Sequence, residues 1–246
     1  MRNMPGSDEM AQVLAQLRPE TGSSDFFGGD PARCAVVLGF DGLAVSLTTA
    51  QGFSELVWCS PGVSADLEDL QFTLGQGPAW DAAARLTAVS EPELSTVEAG
   101  RWPMLLGEAV ALGVRAVFCM PLHLGGACLG TVTFQRAAPG PMTARAALDA
   151  RILAAAMLAV ILDRPPDPRV SATAQGHTQF HRAAVHQATG MISVQAGVTL
   201  PQALLLLRAY SYRHARPVAD VAADVVARRV HFRELPEPDA SGRTKE

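Results

Sequence analysis

The stretch from His186 to Arg233 decides how this chain of 246 residues is organised. It opens with His186-Gln-Ala-Thr-Gly-Met-Ile-Ser-Val-Gln-Ala-Gly-Val-Thr-Leu-Pro-Gln-Ala and closes with Val218-Ala-Asp-Val-Ala-Ala-Asp-Val-Val-Ala-Arg-Arg-Val-His-Phe-Arg. Apolar residues recur at the i, i+3, i+4 spacing of amphipathic helices, and two short connections interrupt that pattern. The stretch therefore predicts three helices, the first of which begins upstream of His186.

The two connections contain residues that end and start helices. Gly197 predicts the end of the first helix. Thr199, with Gln202 three residues later, has the form of a capping box for the second helix. Pro217 breaks that helix and suits the first turn of the third. We expect a small all-α bundle over residues 175–233.

Charge is distributed unevenly along the chain. Between Val170 and Leu235, seven Arg residues against three acidic residues give a local balance of +4. The whole chain carries −4, so the remainder carries −8. A basic module on an acidic chain indicates an anionic partner for that module, whereas ordinary solvated helix surfaces are the alternative explanation.

The preceding region, residues 10–163, mixes strand and helix patterns. Four runs with apolar residues at alternate positions predict an antiparallel sheet, and Gly125-Gly126 predicts a turn between the last two. Ser64 is expected to cap one helix, and Thr143 to start a long one that ends before Arg164-Pro-Pro-Asp-Pro. The region is therefore predicted to be an α+β domain. Residues 164–174 are then a Pro-rich linker, and residues 234–246 a disordered tail.

Three segments of this region, in their order along the chain, resemble a GAF domain. They are Gly42-Leu-Ala-Val-Ser-Leu, Leu74-Gly-Gln-Gly-Pro and the pair Val117-Phe-Cys-Met-Pro-Leu with Gly126-Ala-Cys-Leu-Gly-Thr-Val. The resemblance implies a small-molecule-sensing fold with an antiparallel sheet flanked by helices. No cofactor is expected, and the residues do not identify a ligand: Trp58, Trp80, Phe118 and Met120 could line a cavity or fill the core.

The C-terminal stretch resembles the ANTAR domain. The similarity lies in Gln187-Ala-Thr-Gly-Met-Ile, in Ala203, Leu207-Arg208 and Ser211, and in Arg216-Pro-Val-Ala-Asp-Val-Ala. It implies a three-helix output module of bacterial regulators that dimerises, binds paired RNA hairpins and relieves transcription termination. A GAF sensor followed by an ANTAR domain is common in actinobacteria. Two positions depart from the family, which often has Lys at Thr189 and Asn at Ala215.

RNA binding requires guanidinium or ammonium groups for phosphates and a flat side chain on which a loop base can stack. The residues that we predict to contact RNA are Arg208, Tyr212, Arg213, Arg216, His186, Thr189 and Gly190. Tyr212 could equally close the small helical core. Arg228 and Arg229 are expected to be surface charges favoured by the end of the third helix.

A DNA-binding helix-turn-helix regulator with a GAF sensor is the main alternative. Its recognition helix would need polar side chains for base edges, whereas the third helix here presents Ala and Asp outward. An enzyme is not expected, because the phosphate-loop, serine-hydrolase and zinc-protease motifs are missing from the sequence.

The remaining features predict a cytoplasmic homodimer without a metal. The four cysteines have no C-x-x-C spacing and suit buried free thiols, although Cys59 or Cys119 could sense redox state. His123 is expected to be a scaffold residue. No secretory signal or membrane-spanning segment is visible, and the apolar run Ile152–Leu162 is a candidate dimer contact.

Overall fold

The computed structural model describes residues 5–20, 22–23, 25–48, 54–164, 177–214 and 216–232. The chain divides into two compact units, Met1–Thr178 and Gln179–Glu246. Most of the predicted linker, the predicted tail and Ala215 lie outside the described residues.

The first unit contains a five-stranded antiparallel sheet with the strand order β2-β1-β5-β4-β3. Its strands are β1 (Gly42–Thr48), β2 (Ser54–Cys59), β3 (Val89–Glu91), β4 (Ala116–Leu124) and β5 (Ala127–Arg136). Gly125 and Gly126 join β4 to β5, and Gly125 adopts a φ of +58°, where a side chain would be strained. The predicted α+β fold with an antiparallel sheet is confirmed.

Helices cover both faces of this sheet. They are α1 (Pro5–Gln16), α2 (Pro31–Leu38), α3 (Val63–Leu74), α4 (Pro78–Arg85), α5 (Leu105–Ala111) and α6 (Ala144–Asp163), with a 3-10 helix at Leu94–Thr96. Thr143 caps α6 as predicted, accepting a hydrogen bond from the Ala146 amide at 3.1 Å. The prediction that Ser64 caps α3 is wrong: Gly62 precedes that helix, and Ser64 lies buried in its first turn.

One face of the sheet is apolar. Alternate residues such as Val45, Phe118 and Phe134 pack there against α1, α2 and α6. Because side chains along a strand point to opposite faces, the residues between them point the other way. A second apolar cluster, which includes Leu67 of α3 and Leu105 of α5, packs against the opposite face of β4.

The opposite face of β1 and β5 is polar and still buried. Ser46, Thr131, Thr133 and Gln135 have relative exposures of 6% or less. The Glu68 carboxylate of α3 accepts hydrogen bonds from Ser46 Oγ at 2.8 Å and from Thr133 Oγ1 at 2.7 Å. These small polar residues are therefore buried, and α3 supplies hydrogen-bond partners for Ser46, Thr133 and Gln135.

The described residues after the linker form three helices, α7 (His177–Ala196), α8 (Leu200–Arg213) and α9 (Val218–Val226), and all but the first two residues of α7 belong to the second unit. Their core is formed by one stripe from each helix: Val185, Ala188, Ile192, Ala203, Leu204, Leu207, Val218, Val221, Ala222 and Val225. The Gln202 side chain accepts a hydrogen bond from the Thr199 amide at 3.0 Å, so the predicted capping box is present. The predicted three-helix unit is confirmed.

Across the described residues, no single helix is long and apolar enough to cross a membrane. One pair of segments meets that criterion by length and composition when taken together. It consists of Ala183–Ala196 of α7 and the whole of α8, and the two are bent by 103° relative to each other.

Candidate functional site

The end of α8 presents an aromatic ring and a guanidinium group to solvent. The helix buries Ala203, Leu207 and Ser211 along one face. Tyr212 and Arg213 therefore point away from the core, and Tyr212 is 67% exposed. The alternative that Tyr212 closes the core is wrong.

Tyr210 has that core role instead. Its ring centroid lies 5.3 Å from that of Phe232 and 4.2 Å from the imidazole of His214. The backbone amide of Phe232 donates a hydrogen bond to the Gln195 side chain at 2.9 Å, which fixes the segment after α9 against α7. The two tyrosines of α8 thus have separate tasks, one in packing and one at the surface.

Asp224 of α9 joins two exposed arginines. Its Oδ2 accepts a hydrogen bond from Arg216 Nη2 at 2.6 Å, and its Oδ1 accepts one from Arg229 Nε at 2.7 Å. The hydrogen bonds from Arg216 and then Arg229 hold the pKa of Asp224 below its ordinary value. The hydrogen bond to Asp224 raises the pKa of Arg216. Both arginine side chains keep substantial solvent exposure, 39% and 64%.

Arg229 was not predicted to contact RNA, and a turn at the end of α9 explains its position. Arg228 adopts a left-handed φ of +59°, which reverses the chain after α9. The Arg229 amide then donates to the Asp224 carbonyl at 2.7 Å, and its side chain folds back onto the Asp224 carboxylate. Sequence spacing along a continuous helix could not reveal this pairing. We define Tyr212, Arg213, Arg216 and Arg229, with Asp224 between the last two, as the α8–α9 surface.

Arg208 lies deeper than this surface. Its side chain is only partly exposed, and burial lowers the pKa of its guanidinium to about 10. The group therefore remains charged at neutral pH but is largely desolvated. Its predicted role as an exposed phosphate contact does not fit this position.

The three predicted residues on α7 differ in exposure. Thr189 has a relative exposure of 0%, and its hydroxyl donates to the Val185 carbonyl at 2.7 Å. The prediction that Thr189 contacts RNA is therefore wrong for this conformation. His186 and Gly190 are half-buried. A Cβ added to Gly190 would meet no atom within 4 Å, so packing within the described residues does not require a glycine there.

The first unit contains a cavity of about 300 Å³ between the polar sheet face and α4. Hydroxyl-bearing residues of three strands and the side of α4 line it, including Ser46, Ser54, Thr131, Ala79, Trp80 and Ala83. Of the four residues proposed as cavity or core, Trp80 lines this cavity. Phe118 belongs to the apolar core, which Trp58 and Met120 contact.

The buried cysteines are poorly suited to redox sensing. Burial raises the pKa of the Cys34 thiol to about 12 and also raises the pKa of Cys119 and of Cys128. Because the thiolate is the reactive form, a raised pKa disfavours reaction of these three thiols near neutral pH.

Comparison with known proteins gives a family for the second unit and a fold for the first. Residues 179–226 match the model of the ANTAR domain. The chain is similar to the GAF domain of an Acinetobacter phosphoenolpyruvate-protein phosphotransferase, with a TM-score of 0.50 and 17% identity over 66% of this chain and 95% of that one. The corresponding Coxiella burnetii GAF domain gives a TM-score of 0.47 and 15% identity, covering 65% of this chain and 96% of that one. A comparison with curated proteins returned no match.

Proposed function

We propose, from the presence of an ANTAR domain and a GAF-fold domain in one chain, that this protein is a cytoplasmic RNA-binding transcription antiterminator controlled by a small molecule. In this proposal the ANTAR domain binds paired hairpins in nascent transcripts and prevents termination. The GAF-fold domain senses the signal.

The observation that carries the proposal is that the ANTAR match, residues 179–226, contains Tyr212, Arg213, Arg216 and Asp224 of the α8–α9 surface, with Arg229 just beyond it. Tyr212 supplies an exposed ring on which an unpaired loop base can stack. Arg213, Arg216 and Arg229 supply guanidinium groups for phosphates. The outward side of α9 offers mainly Ala and Asp, which suit recognition of base edges in a DNA groove poorly.

Paired hairpins suit a dimer, and α6 provides a candidate interface. Leu148, Ile152 and Leu162 of this helix are 55%, 39% and 50% exposed. Together with Ala155 and Ala159 they recur at alternating intervals of four and three residues, which is the spacing of a helix–helix seam. We propose that a second copy of the chain packs its own α6 against this seam.

Control by a ligand requires that it bind one arrangement of the protein better than another. The cavity beside α4 is the proposed sensing site because it combines hydroxyl groups, alanine side chains and an aromatic ring in a concave space. Ligand binding would shift the population of the RNA-binding arrangement without taking part in the RNA contact itself.

Crosslinking of the protein to cellular RNA, followed by sequencing, tests this function. The wild-type chain should enrich transcripts in which two short hairpins lie next to each other. The double variant Arg213→Ala with Arg216→Ala should lose that enrichment. The control, Arg18→Ala with Arg85→Ala, removes the same charge from exposed sites on the first unit and should retain it. Enrichment of unrelated RNA, or equal loss in both variants, would contradict the proposal.

A further inference from the structure

A short basic segment follows the ANTAR match. The match ends at residue 226, which is also the last residue of α9, and residues 227–232 continue from there. Their sequence is Ala-Arg-Arg-Val-His-Phe, with two arginines, one histidine and no acidic residue. Arg228, Arg229 and His231 are all exposed. The 227–232 segment therefore presents a basic surface to solvent.

Two anchors hold the 227–232 segment against the three helices. At its start, the Asp224 carbonyl accepts a hydrogen bond from the Arg229 amide at 2.7 Å. At its end, Phe232 is 6% exposed, and its ring centroid lies 5.3 Å from that of Tyr210. The Phe232 amide also donates to the Gln195 side chain at 2.9 Å. The backbone that carries the basic side chains is therefore fixed at both ends.

The turn that starts the segment has a backbone conformation that suits glycine better than arginine. Arg228 adopts a left-handed φ of +59°, and glycine is the residue usually found in this conformation after a helix. A left-handed backbone costs free energy at a residue with a side chain, and such residues cluster at functional sites. The arginine gives this exposed turn a guanidinium group, which a glycine could not supply.

The 227–232 segment adjoins the α8–α9 surface through Asp224. The Asp224 carboxylate accepts hydrogen bonds from Arg229 of the segment and from Arg216, which precedes α9. Both guanidinium groups remain exposed, so the basic surface continues from one arginine to the other. Affinity for a nucleic acid rises with the number of phosphates that such groups neutralise. Charges that served only the C-terminal end of α9 would need neither this continuity nor the Phe232 anchor.

We propose that the 227–232 segment is part of the RNA-binding surface, with Arg228 and Arg229 contacting phosphates and Phe232 acting as their positioning residue. The inference rests on the proposed RNA-binding function and extends the binding surface beyond the residues of the ANTAR match. Phe232 is buried and affects RNA binding only through the arginines that it holds in place.

Fluorescence anisotropy titrations of the full chain with a two-hairpin RNA, at several salt concentrations, test the arginines. Arg228→Ala with Arg229→Ala should lower the affinity at least about tenfold, because two charge-assisted hydrogen bonds are lost. The log–log slope against salt should fall by about 1.4 to 1.8 for the two phosphates released. The control Arg18→Ala with Arg85→Ala removes two exposed arginines from the first unit and should change neither quantity.

Phe232 is tested in two backgrounds. In the wild type, Phe232→Ala should lower RNA affinity at least about threefold, because the released segment must be ordered again on binding. Phe232→Leu keeps an apolar anchor and should bind nearly as the wild type does. In the background that lacks Arg228 and Arg229, Phe232→Ala should change affinity by less than about twofold. A purely structural role would instead weaken binding equally in both backgrounds.

Circular dichroism checks that each variant is folded at the assay temperature. If Phe232→Ala does not fold, Gln195→Met removes only the acceptor of the Phe232 amide and takes its place in both backgrounds. It should weaken RNA binding when the two arginines are present and leave it unchanged when they are absent.

Undiminished affinity in the Arg228→Ala, Arg229→Ala variant would overturn the inference. Equal weakening by Phe232→Ala, or by its Gln195→Met substitute, in both backgrounds would also overturn it. These outcomes, with RNA binding by the wild type retained, place the error in the 227–232 segment alone. Failure of the wild type to bind the two-hairpin RNA would instead contradict the proposed function.

Discussion

Asp224 holds two guanidinium groups side by side at the surface of the second unit. The carboxylate fixes Arg216 and Arg229 through separate oxygens, while each side chain remains accessible to solvent. Two flexible side chains that are ordered before RNA arrives lose less conformational entropy on binding. An acidic residue can therefore strengthen binding to an anionic partner.

This role predicts different effects for two acidic residues of α9. Asp224→Asn should lower the affinity for hairpin RNA by at least about fivefold, because it releases two arginine side chains that must then be ordered when RNA binds. Asp220→Asn removes the same charge from an exposed position one turn earlier and should leave affinity unchanged or raise it. Fluorescence anisotropy at fixed salt distinguishes the two. If both substitutions strengthen binding, Asp224 acts only as a negative charge.

We expect substitution of Tyr212 to affect RNA affinity and substitution of Tyr210 to affect stability. Tyr212→Ala should reduce RNA affinity by about 1–3 kcal/mol, the usual loss for a stacked base, and change the free energy of unfolding by less than ~0.5 kcal/mol. Tyr210→Ala should instead destabilise the unit by about 1 kcal/mol or more, because it loses its aromatic contacts with Phe232 and His214. Urea unfolding and RNA titration of both variants provide the check. A stable Tyr212→Ala variant with unchanged RNA affinity would remove Tyr212 from the contact surface.

Helix α8 contributes to the α8–α9 surface because it carries Tyr212 and Arg213 at its C-terminal end. The stability of this helix therefore affects the position of both side chains. Its first turn is stabilised by the Thr199–Gln202 capping box. Thr199→Ala should cost about 1 kcal/mol of stability, whereas Thr199→Ser, which keeps the hydroxyl, should cost much less. Thermal unfolding measures the difference. Equal stability of the two variants would show that the Thr199 hydroxyl does not stabilise α8.

Local sequence signals predicted several helix ends well, because each signal residue lies within a few residues of the helix end that it sets. Pro217, Gly197 and Thr143 are examples, since each acts on its own backbone. Long-range effects were not predictable in this way. The burial of Ser46 depends on Glu68 from a helix 22 residues away in sequence.

The candidate site was predicted only in part for the same reason. Their positions at the end of α8 and in the turn after it placed Tyr212, Arg213 and Arg216 near one another. The sequence could not show that Arg208 is desolvated or that Thr189 is buried. The pairing of Arg229 with Asp224 depends on the left-handed turn at Arg228, for which the sequence gives no glycine signal.

For the whole molecule, the proposed homodimer links the α6 seam to the recognition of two hairpins. Ile152→Glu would place two like charges in the seam and should convert the dimer to a monomer in light scattering. The control Val36→Glu makes a comparable change at an exposed apolar position of α2 and should leave the dimer intact. If Ile152→Glu remains dimeric, another surface joins the two copies.

One titration of the full chain tests the proposed binding of paired RNA hairpins most directly. It compares three nucleic acids at the same salt concentration: a two-hairpin RNA, a single RNA hairpin and a DNA duplex. The two-hairpin RNA should bind at least about tenfold more tightly than the other two, because two linked contacts raise the effective concentration. Arg213→Ala with Arg216→Ala should lower that affinity and reduce its salt dependence by about 1.4 to 1.8 in the log–log slope. Equal or tighter binding of duplex DNA, or undiminished RNA affinity in the double variant, would contradict the account.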